Sequence, residues 1–263
     1  MISVTDQLGN TVTIKNIPQK IVSIVPSQTE LLYYLGLADS IAGITKYCIH
    51  PAAGARHKQK VGGAKQLDID LIKSLNPDLI IANKEENEQN QVEELMTLYP
   101  TYISNPVDLP GALGMINSIG ELVGKDKTAR QLSANIQQEF NRLAHFKPSG
   151  LKVAYLIWRK PYMVAGTDTF INDMLQRCGF ENIFNKGRYP EVTIDEVISA
   201  RPNVVLLSSE PYPFKQKHAE EFQQALPNAV VKLVDGEMFS WYGSRLLYAP
   251  QYFIRLTDSI AAS

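Results

Sequence analysis

Two stretches decide the fold: Leu67-Asp68-Ile69-Asp70-Leu71-Ile72-Lys73-Ser74-Leu75-Asn76-Pro77-Asp78-Leu79-Ile80-Ile81, and Val192-Thr193-Ile194-Asp195-Glu196-Val197-Ile198-Ser199-Ala200-Arg201-Pro202-Asn203-Val204-Val205-Leu206. Asp70, Ser74 and Pro77 recur 125 positions later as Asp195, Ser199 and Pro202, with apolar residues in register around them. Each copy reads as an acidic residue opening a short helix, a proline ending it, and a continuous apolar run that suits a buried parallel strand. Internal repetition of a whole helix–strand unit points to two α/β lobes of related topology.

Working outward, the elements before each copy also correspond. Lys20-Ile21-Val22 and Glu30-Leu31-Leu32 ahead of Gly36 have counterparts in Lys152-Val153-Ala154 and Asp173-Met174-Leu175 ahead of Gly179. Ile21 to Val25 predicts a strand, the stretch from Thr29 to Leu35 a helix with a glycine stop at Gly36, and Ile41 to Ile44 a second strand, a β-α-β unit with a parallel sheet. Val4 to Ile14, with Gly9-Asn10 at its centre, predicts a hairpin at an edge. Asp126 to Phe146 carries apolar residues at Ala129, Leu132, Ile136, Phe140 and Leu143, an amphipathic period. At 1.5 Å per residue this helix would run about 31 Å. The expected organisation is an N-terminal α/β lobe over residues 1–124, a rigid connecting helix over 125–147, bracketed by Gly124 and Pro148-Ser149-Gly150, and a C-terminal lobe over 148–263. A ligand cleft is expected between the lobes, each a Rossmann-like, mostly parallel sheet.

Composition narrows the function classes. The chain has 263 residues, 44% hydrophobic and 20% charged, and a net charge of -1, which is globular and offers no global field for nucleic acid or an anionic bilayer. Two cysteines, Cys48 and Cys178, support neither a disulfide framework nor a four-cysteine zinc site. No apolar run approaches the roughly 20 residues of a membrane span. Met1 to Asp6 carries no secretory signal, which leaves a cytosolic protein or a trimmed secreted one.

Local chemistry is sparse. Val61-Gly62-Gly63-Ala64-Lys65 lacks the spacing of a phosphate loop, and no G-x-S-x-G elbow occurs. Val25-Pro26-Ser27-Gln28-Thr29 follows a strand and opens a helix, so it either holds an anion or, the preferred reading, uses Ser27 or Thr29 as a cap. The histidines His50, His57, His145 and His218 form no local zinc motif. Tyr47-Cys48-Ile49-His50-Pro51 follows a strand at the end where open parallel sheets bind ligands; these groups can ligate a metal, or His50 can simply meet solvent.

Trp158 and Trp241 both fall at predicted strand ends in the second lobe, accompanied by Tyr162, Tyr189 and Tyr242 and by Arg159, Arg188 and Arg245. Rings and guanidinium groups together suit a large planar or anionic ligand. Residues 46–66 add Lys46, Arg56, Lys58, Lys60 and Lys65 with no Asp or Glu, either a local field for an anion or a solvated loop. Asp70 and Asp195 either stabilise their helices or form two matching acidic knobs for a partner with two basic pockets, reinforced by Asp68 and Glu196.

Asp6-Gln7-Leu8-Gly9 with Val12-Thr13-Ile14, then Lys20 to Leu32, Leu35-Gly36-Leu37, Pro77-Asp78-Leu79-Ile80 and Gly179-Phe180-Glu181-Asn182-Ile183-Phe184 resemble the class III substrate-binding proteins of ABC importers, the helical-backbone receptors for cobalamin, haem and iron-siderophore complexes. The cobalamin-type members are the nearest match. The resemblance implies a binding protein without catalytic activity, a monomer with no cofactor of its own, periplasmic or at the cell surface. It would carry a corrinoid, haem or ferric siderophore to a permease and its ATPase. It also implies that Asp70 and Asp195 dock on that permease and that Tyr47, His50, Trp158, Arg159, Tyr162, Arg188, Tyr189, Trp241, Tyr242 and Arg245 contact ligand. Tyr47 matches a first-lobe ligand tyrosine of cobalamin-type relatives, Tyr189 stands at their second-lobe tryptophan position, and Ala64 and Asn83 stand near positions where they carry tryptophans. The rival readings are a receptor of the same fold for a non-metal organic or oligosaccharide ligand, and a cytosolic two-lobe enzyme.

Overall fold

The computed structural model describes residues 1–144 and 150–262. His145, Phe146 and the Pro148-Ser149 part of the bracket, where the sequence places the end of the connecting helix and the 147/148 boundary, lie outside the described residues. The chain divides into two compact units. The first comprises Met1–Pro106, Pro110–Ile136 and Tyr242–Arg245; the second comprises Val107–Leu109, Gln137–Trp241 and the chain from Leu246 on.

The first unit opens with the antiparallel hairpin β1 (Ile2–Thr5) and β2 (Thr11–Ile14). Asp6 makes its turn by accepting from the amides of Leu8 and Asn10 at 2.9 and 2.8 Å. Then follow β3 (Ile21–Ser23), α1 (Pro26–Tyr34), β4 (Ile41–Ile44), α2 (Ala52–Ala55), β5 (Gln59–Lys60), α3 (Ile69–Leu75), β6 (Leu79–Asn83), α4 (Gln89–Met96), β7 (Thr101–Ser104) and α5 (Leu109–Leu122). The sheet has the order β5-β4-β3-β6-β7, parallel throughout. Every residue of β6 is buried, as expected for a central parallel strand covered on both faces. Helix α6 (Asp126–Leu143) follows, with Asp126 in its first turn. Its 18 residues span about 27 Å, and Ala129, Leu132, Ile136, Phe140 and Leu143 are all buried, so the apolar period read from the sequence is the packed stripe.

The second unit contains β8 (Lys152–Trp158), β9 (Tyr162–Val164), α7 (Phe170–Arg177), β10 (Glu181–Asn182), β11 (Glu191–Val192), α8 (Ile194–Ser199), β12 (Val204–Ser208), α9 (Gln216–Ala225), β13 (Val230–Val234), α10 (Glu237–Ser240) and α11 (Ala249–Ala261). Its sheet runs β11-β9-β8-β12-β13, with β10 also on β8. Strands β8, β10, β12 and β13 are parallel, and β9 and β11 form an antiparallel flank.

The repeat is structural as well as sequential. Both copies give a short helix, then a left-handed residue before proline, Asn76 with φ 47° and Arg201 with φ 48°, then a fully buried central strand. The residue after each proline fastens the entry of the neighbouring strand in its sheet, β3 beside β6 and β8 beside β12. The amide of Asp78 donates to Lys20 O and its carboxylate accepts from the amides of Gln19 and Lys20; the amide of Asn203 donates to Lys152 O and its Oδ1 accepts from the Lys152 amide.

One local reading is corrected. Helix α1 begins at Pro26, with Val25 as its cap residue and no side-chain cap, so neither Ser27 nor Thr29 caps it. Proline at the first position lacks the N–H that a cap would otherwise serve. Thr29 instead donates from Oγ1 to Val25 O, and Ser27 is 3% exposed, packed beneath Gly243, so it is not the accessible hydroxyl an anion site needs.

Candidate functional site

In the first unit the carboxyl end of β4 continues into the loop that carries Tyr47 and His50. In this loop Lys46 and Tyr47 are exposed, Cys48 is buried, Ile49 is exposed and His50 is half-buried. Cys48 is the anchor, with Sγ 3.2 Å from the hydroxyls of both Thr29 and Thr45, and burial pushes its thiol pKa up. Cys48 therefore faces Thr29 and Thr45 in the interior, while Tyr47 and Ile49 on either side of it are exposed. Among the described residues, no group of three or more His, Cys, Asp or Glu side chains is placed to hold a metal.

Tyr47 is 54% exposed, with Lys46 Nζ 5.2 Å from its ring centroid. The pair lies over the Gly62-Gly63 turn. Gly62 has φ 96°, the amide of Lys46 donates to its carbonyl, and a Cβ on Gly63 would stand 3.3 Å from Lys46 Cε and 3.4 Å from Tyr47 Cε2. The glycine pair that fails as a phosphate loop is therefore the seat of the exposed ring. Asn83 and Ala64 also gain an account. Asn83 is buried and uses its whole side chain: Nδ2 donates to Ser104 O and Oγ, and Oδ1 accepts from the amides of Glu85 and Glu86. Ala64 O accepts from Asn87 Nδ2, which also donates to Ile24 O.

In the second unit Trp158 ends β8 and is 39% exposed, with its ring edge-on to Tyr212 at 5.8 Å. Arg159 beside it pairs with Glu221 at 2.8 Å, and half-buried Tyr162 on β9 packs edge-on against Phe222 at 5.3 Å. The layer behind Trp158 left no pattern in the sequence. Tyr212 and Phe214 meet edge-to-face at 4.9 Å, and the imidazole of His218 lies 5.7 Å from each. A second ring–cation pair sits on the loop after β10, where Arg188 lies 6.0 Å over Tyr189 and both are half-buried. That loop is fastened at Gly166–Thr167 through Gly166 N to Arg188 O, Thr167 N to Lys186 O and Arg188 N to Thr167 O, at 2.7–2.9 Å.

The other three expected contact residues are turned to internal work. Trp241 is 6% exposed and donates from Nε1 to Glu210 Oε1 at 2.9 Å. Glu210 also accepts from Ser240 Oγ, and burial raises its carboxyl pKa. Tyr242 is 5% exposed. Arg245 makes a two-point contact with Glu30, at 3.0 and 2.6 Å, in the first unit. The rule that both tryptophans mark a ligand wall does not separate an exposed ring from a buried one; an indole whose N–H finds a buried carboxylate is indistinguishable in sequence.

Asp70 and Asp195 are both exposed, each in the first turn of its helix. Asp68 and Glu196 beside them are also exposed, and each has a local structural role. Asp68 caps α3 by accepting from the Leu71 amide, and Glu196 closes a capping box with Thr193, whose hydrogen bonds hold its carboxyl pKa down. An open groove of about 720 Å³ runs from Lys46 and Gly63 past Asp68 and Asp70 to the Lys73–Glu94 ion pair. Its walls are charged rather than aromatic, so it adjoins the acidic helix end and not a ring-lined wall. No helix among the described residues is long and apolar enough to cross a membrane.

Residues 21–230 match the family model described as periplasmic binding protein. The chain is 25% identical over 245 residues to a vitamin B12-binding protein of Pectobacterium carotovorum, covering 89% of this chain and 87% of the relative. It is 28% identical over 195 residues to a vitamin B12-binding protein of Vibrio campbellii, covering 72% and 70%. Among solved structures, the periplasmic vitamin B12 binding protein of Vibrio cholerae superposes with a TM-score of 0.78 at 22% identity, over 94% of this chain and 99% of that one. A periplasmic haem-binding protein from Pseudomonas aeruginosa gives 0.79 at 20% identity, over 94% of each chain. At these identities the structural likeness establishes the fold.

Proposed function

We propose, from the premise that this chain belongs to the periplasmic binding protein family, the substrate-binding components of importers, that it captures a metal chelate and delivers it to an ABC permease with its ATPase. The chelate class is a cobalamin-like corrinoid, haem or a ferric siderophore. One observation carries the reading: in each unit an exposed ring stands at the carboxyl end of a parallel strand, Tyr47 after β4 with Lys46 over its ring and Trp158 at the end of β8, and the second unit adds the Arg188–Tyr189 ring–cation pair. This pairing offers stacking together with charge, which suits a conjugated macrocycle or aromatic chelate carrying carboxylates.

Tyr47, His50, Trp158, Arg159, Tyr162, Arg188 and Tyr189 are the proposed contact residues, while Trp241, Tyr242 and Arg245 are buried or engaged within their own units. Asp70 and Asp195, exposed on matching helices, are the proposed docking points for the permease. In this reading residues 1–124 and 148–263 are the binding lobes and 125–147 the connector. The protein binds without altering its cargo, as a monomer outside the cytoplasm, in keeping with its family. Relatives named as vitamin B12-binding proteins, at 25–28% identity, support the chelate class.

The test is titration with cyanocobalamin, haemin and a ferric siderophore, following tryptophan quenching, chelate absorbance and melting temperature. Saturable binding of one of them, at micromolar concentration or below and with a raised melting temperature, is expected. No response to any of the three at concentrations far above micromolar refutes the reading.

A further inference from the structure

Behind the exposed Trp158 lies a titratable group that the binding reading leaves unused. His218 is 2% exposed, in the first turn of the ten-residue helix α9. No Ser, Thr, Asp or Asn caps this helix; Lys215 holds the cap position. The amide of Lys215 donates instead to His218 Nδ1 at 2.9 Å, and the amide of His218 returns a bond to Lys215 O at 2.8 Å. Accepting at Nδ1 requires that nitrogen to be unprotonated. The imidazole ring also packs against the Tyr212–Phe214 pair, 5.7 Å from both rings, and Tyr212 in turn supports Trp158 edge-on. The turn bearing those rings is tied to the sheet by longer bonds, Tyr212 N to Ile157 O at 3.3 Å and Phe214 N to Ser208 O at 3.2 Å. Its side chains therefore depend on what lies beneath them.

We propose that His218 is a positioning residue for the Trp158 face: the neutral imidazole holds the α9 cap and the Tyr212–Phe214 layer in place, and its protonation unseats that face and weakens chelate capture. This rests on the capture function proposed above. An imidazolium has no lone pair for the Lys215 amide. It also adds positive charge where Arg159, from the segment after β8, and Lys215 and Lys217, at the start of α9, already lie near, with Glu221 of α9 as the offsetting carboxylate. The uncharged rings of Tyr212 and Phe214 complete the surround. Burial, seconded by Arg159, holds the imidazole pKa below its ordinary value. The sign follows: the neutral form persists through the ordinary histidine range near 6.5 and is lost as the pH falls through the lowered value.

The experiment follows tryptophan emission of the ligand-free protein from pH 7.5 to 4.5, with cyanocobalamin and haemin affinities over the same range. Wild type is expected to show an emission step below pH 6.5. W158F should lose the step. H218N, whose side-chain carbonyl accepts from the Lys215 amide without titrating in this range, should show a flat profile there. The dissociation constant of whichever chelate binds should rise by about three- to tenfold across the step in wild type, the size of one hydrogen bond, and stay level in H218N. If H218N does not fold, the variant H57Q must keep the step. A flat wild-type profile, a step that survives in H218N, or its loss in H57Q overturns the proposal. A step confined to wild type with no binding of either chelate at any pH retains the positioning role and counts against these two cargoes.

Discussion

Replacing Gly166 with alanine is the sharpest test of how the Arg188–Tyr189 loop is held. A Cβ on Gly166 would stand 1.9 Å from Lys186 O and 3.2 Å from Arg188 O, both backbone atoms. Ordinary contact begins near 3.4 Å, so the Lys186 carbonyl has to retreat by about 1.5 Å, far beyond what a hydrogen bond tolerates. Three backbone bonds at 2.7–2.9 Å join this loop to Gly166 and Thr167. Losing one or two costs about 0.5–1.5 kcal/mol each, and overpacking adds roughly 1–3 kcal/mol, so we expect G166A to lose about 2–4 kcal/mol. For a chain of this length that is a fall in melting temperature of roughly 5–15 °C. Chelate affinity should drop with it, because the loop carries Arg188 and Tyr189. The contrast is G114A: Gly114 lies exposed within α5 with nothing within 4 Å of a built Cβ, and alanine there should stabilise by roughly 0.5–1 kcal/mol. Thermal and urea unfolding of both variants decide the matter. A G166A protein melting within about 2 °C of wild type refutes the account of a backbone approach only glycine permits.

Three further outcomes are expected. Burial raises the Glu210 carboxyl pKa, so its penalty is absent at low pH and grows as the pH rises through the folded value. E210Q keeps an acceptor for Trp241 and Ser240 and should melt higher than wild type at pH 7.5, with the gain vanishing by about pH 4; a gain that persists in acid contradicts this. N83A strands the amides of Glu85 and Glu86 and should cost about 2–4 kcal/mol in urea unfolding, against less than about 0.5 kcal/mol if that loop is held by other contacts. Y47A and W158A should each weaken chelate binding by about 1–3 kcal/mol, by analogy with stacking on aromatic side chains. Y47A, which removes a mostly exposed ring, should leave the melting temperature unchanged. Unchanged affinity in both would remove these rings from the site.

The chain order of the elements was legible because the signals that set them are local. Apolar runs of four to five residues, left-handed stops at Asn76 and Arg201 ahead of their prolines, and the 3.6-residue stripe of α6 all act within one or two turns of chain. The repeat supplied the rest, since an Asp78 or Asn203 that fastens the neighbouring strand does so in both copies through the same sequence position. What the sequence could not decide was which polar and aromatic side chains remain available. Trp158 and Trp241 are the same residue type near strand ends, yet one is supported edge-on at the surface and the other is consumed by Glu210, 31 positions away. Arg245 is likewise claimed by Glu30, 215 positions away, and Gly63 acquires its role only when Lys46 and Tyr47 come to rest on it. Secondary structure follows from neighbours along the chain; exposure, charge pairing and the state of His218 follow from neighbours in space, which folding alone brings together.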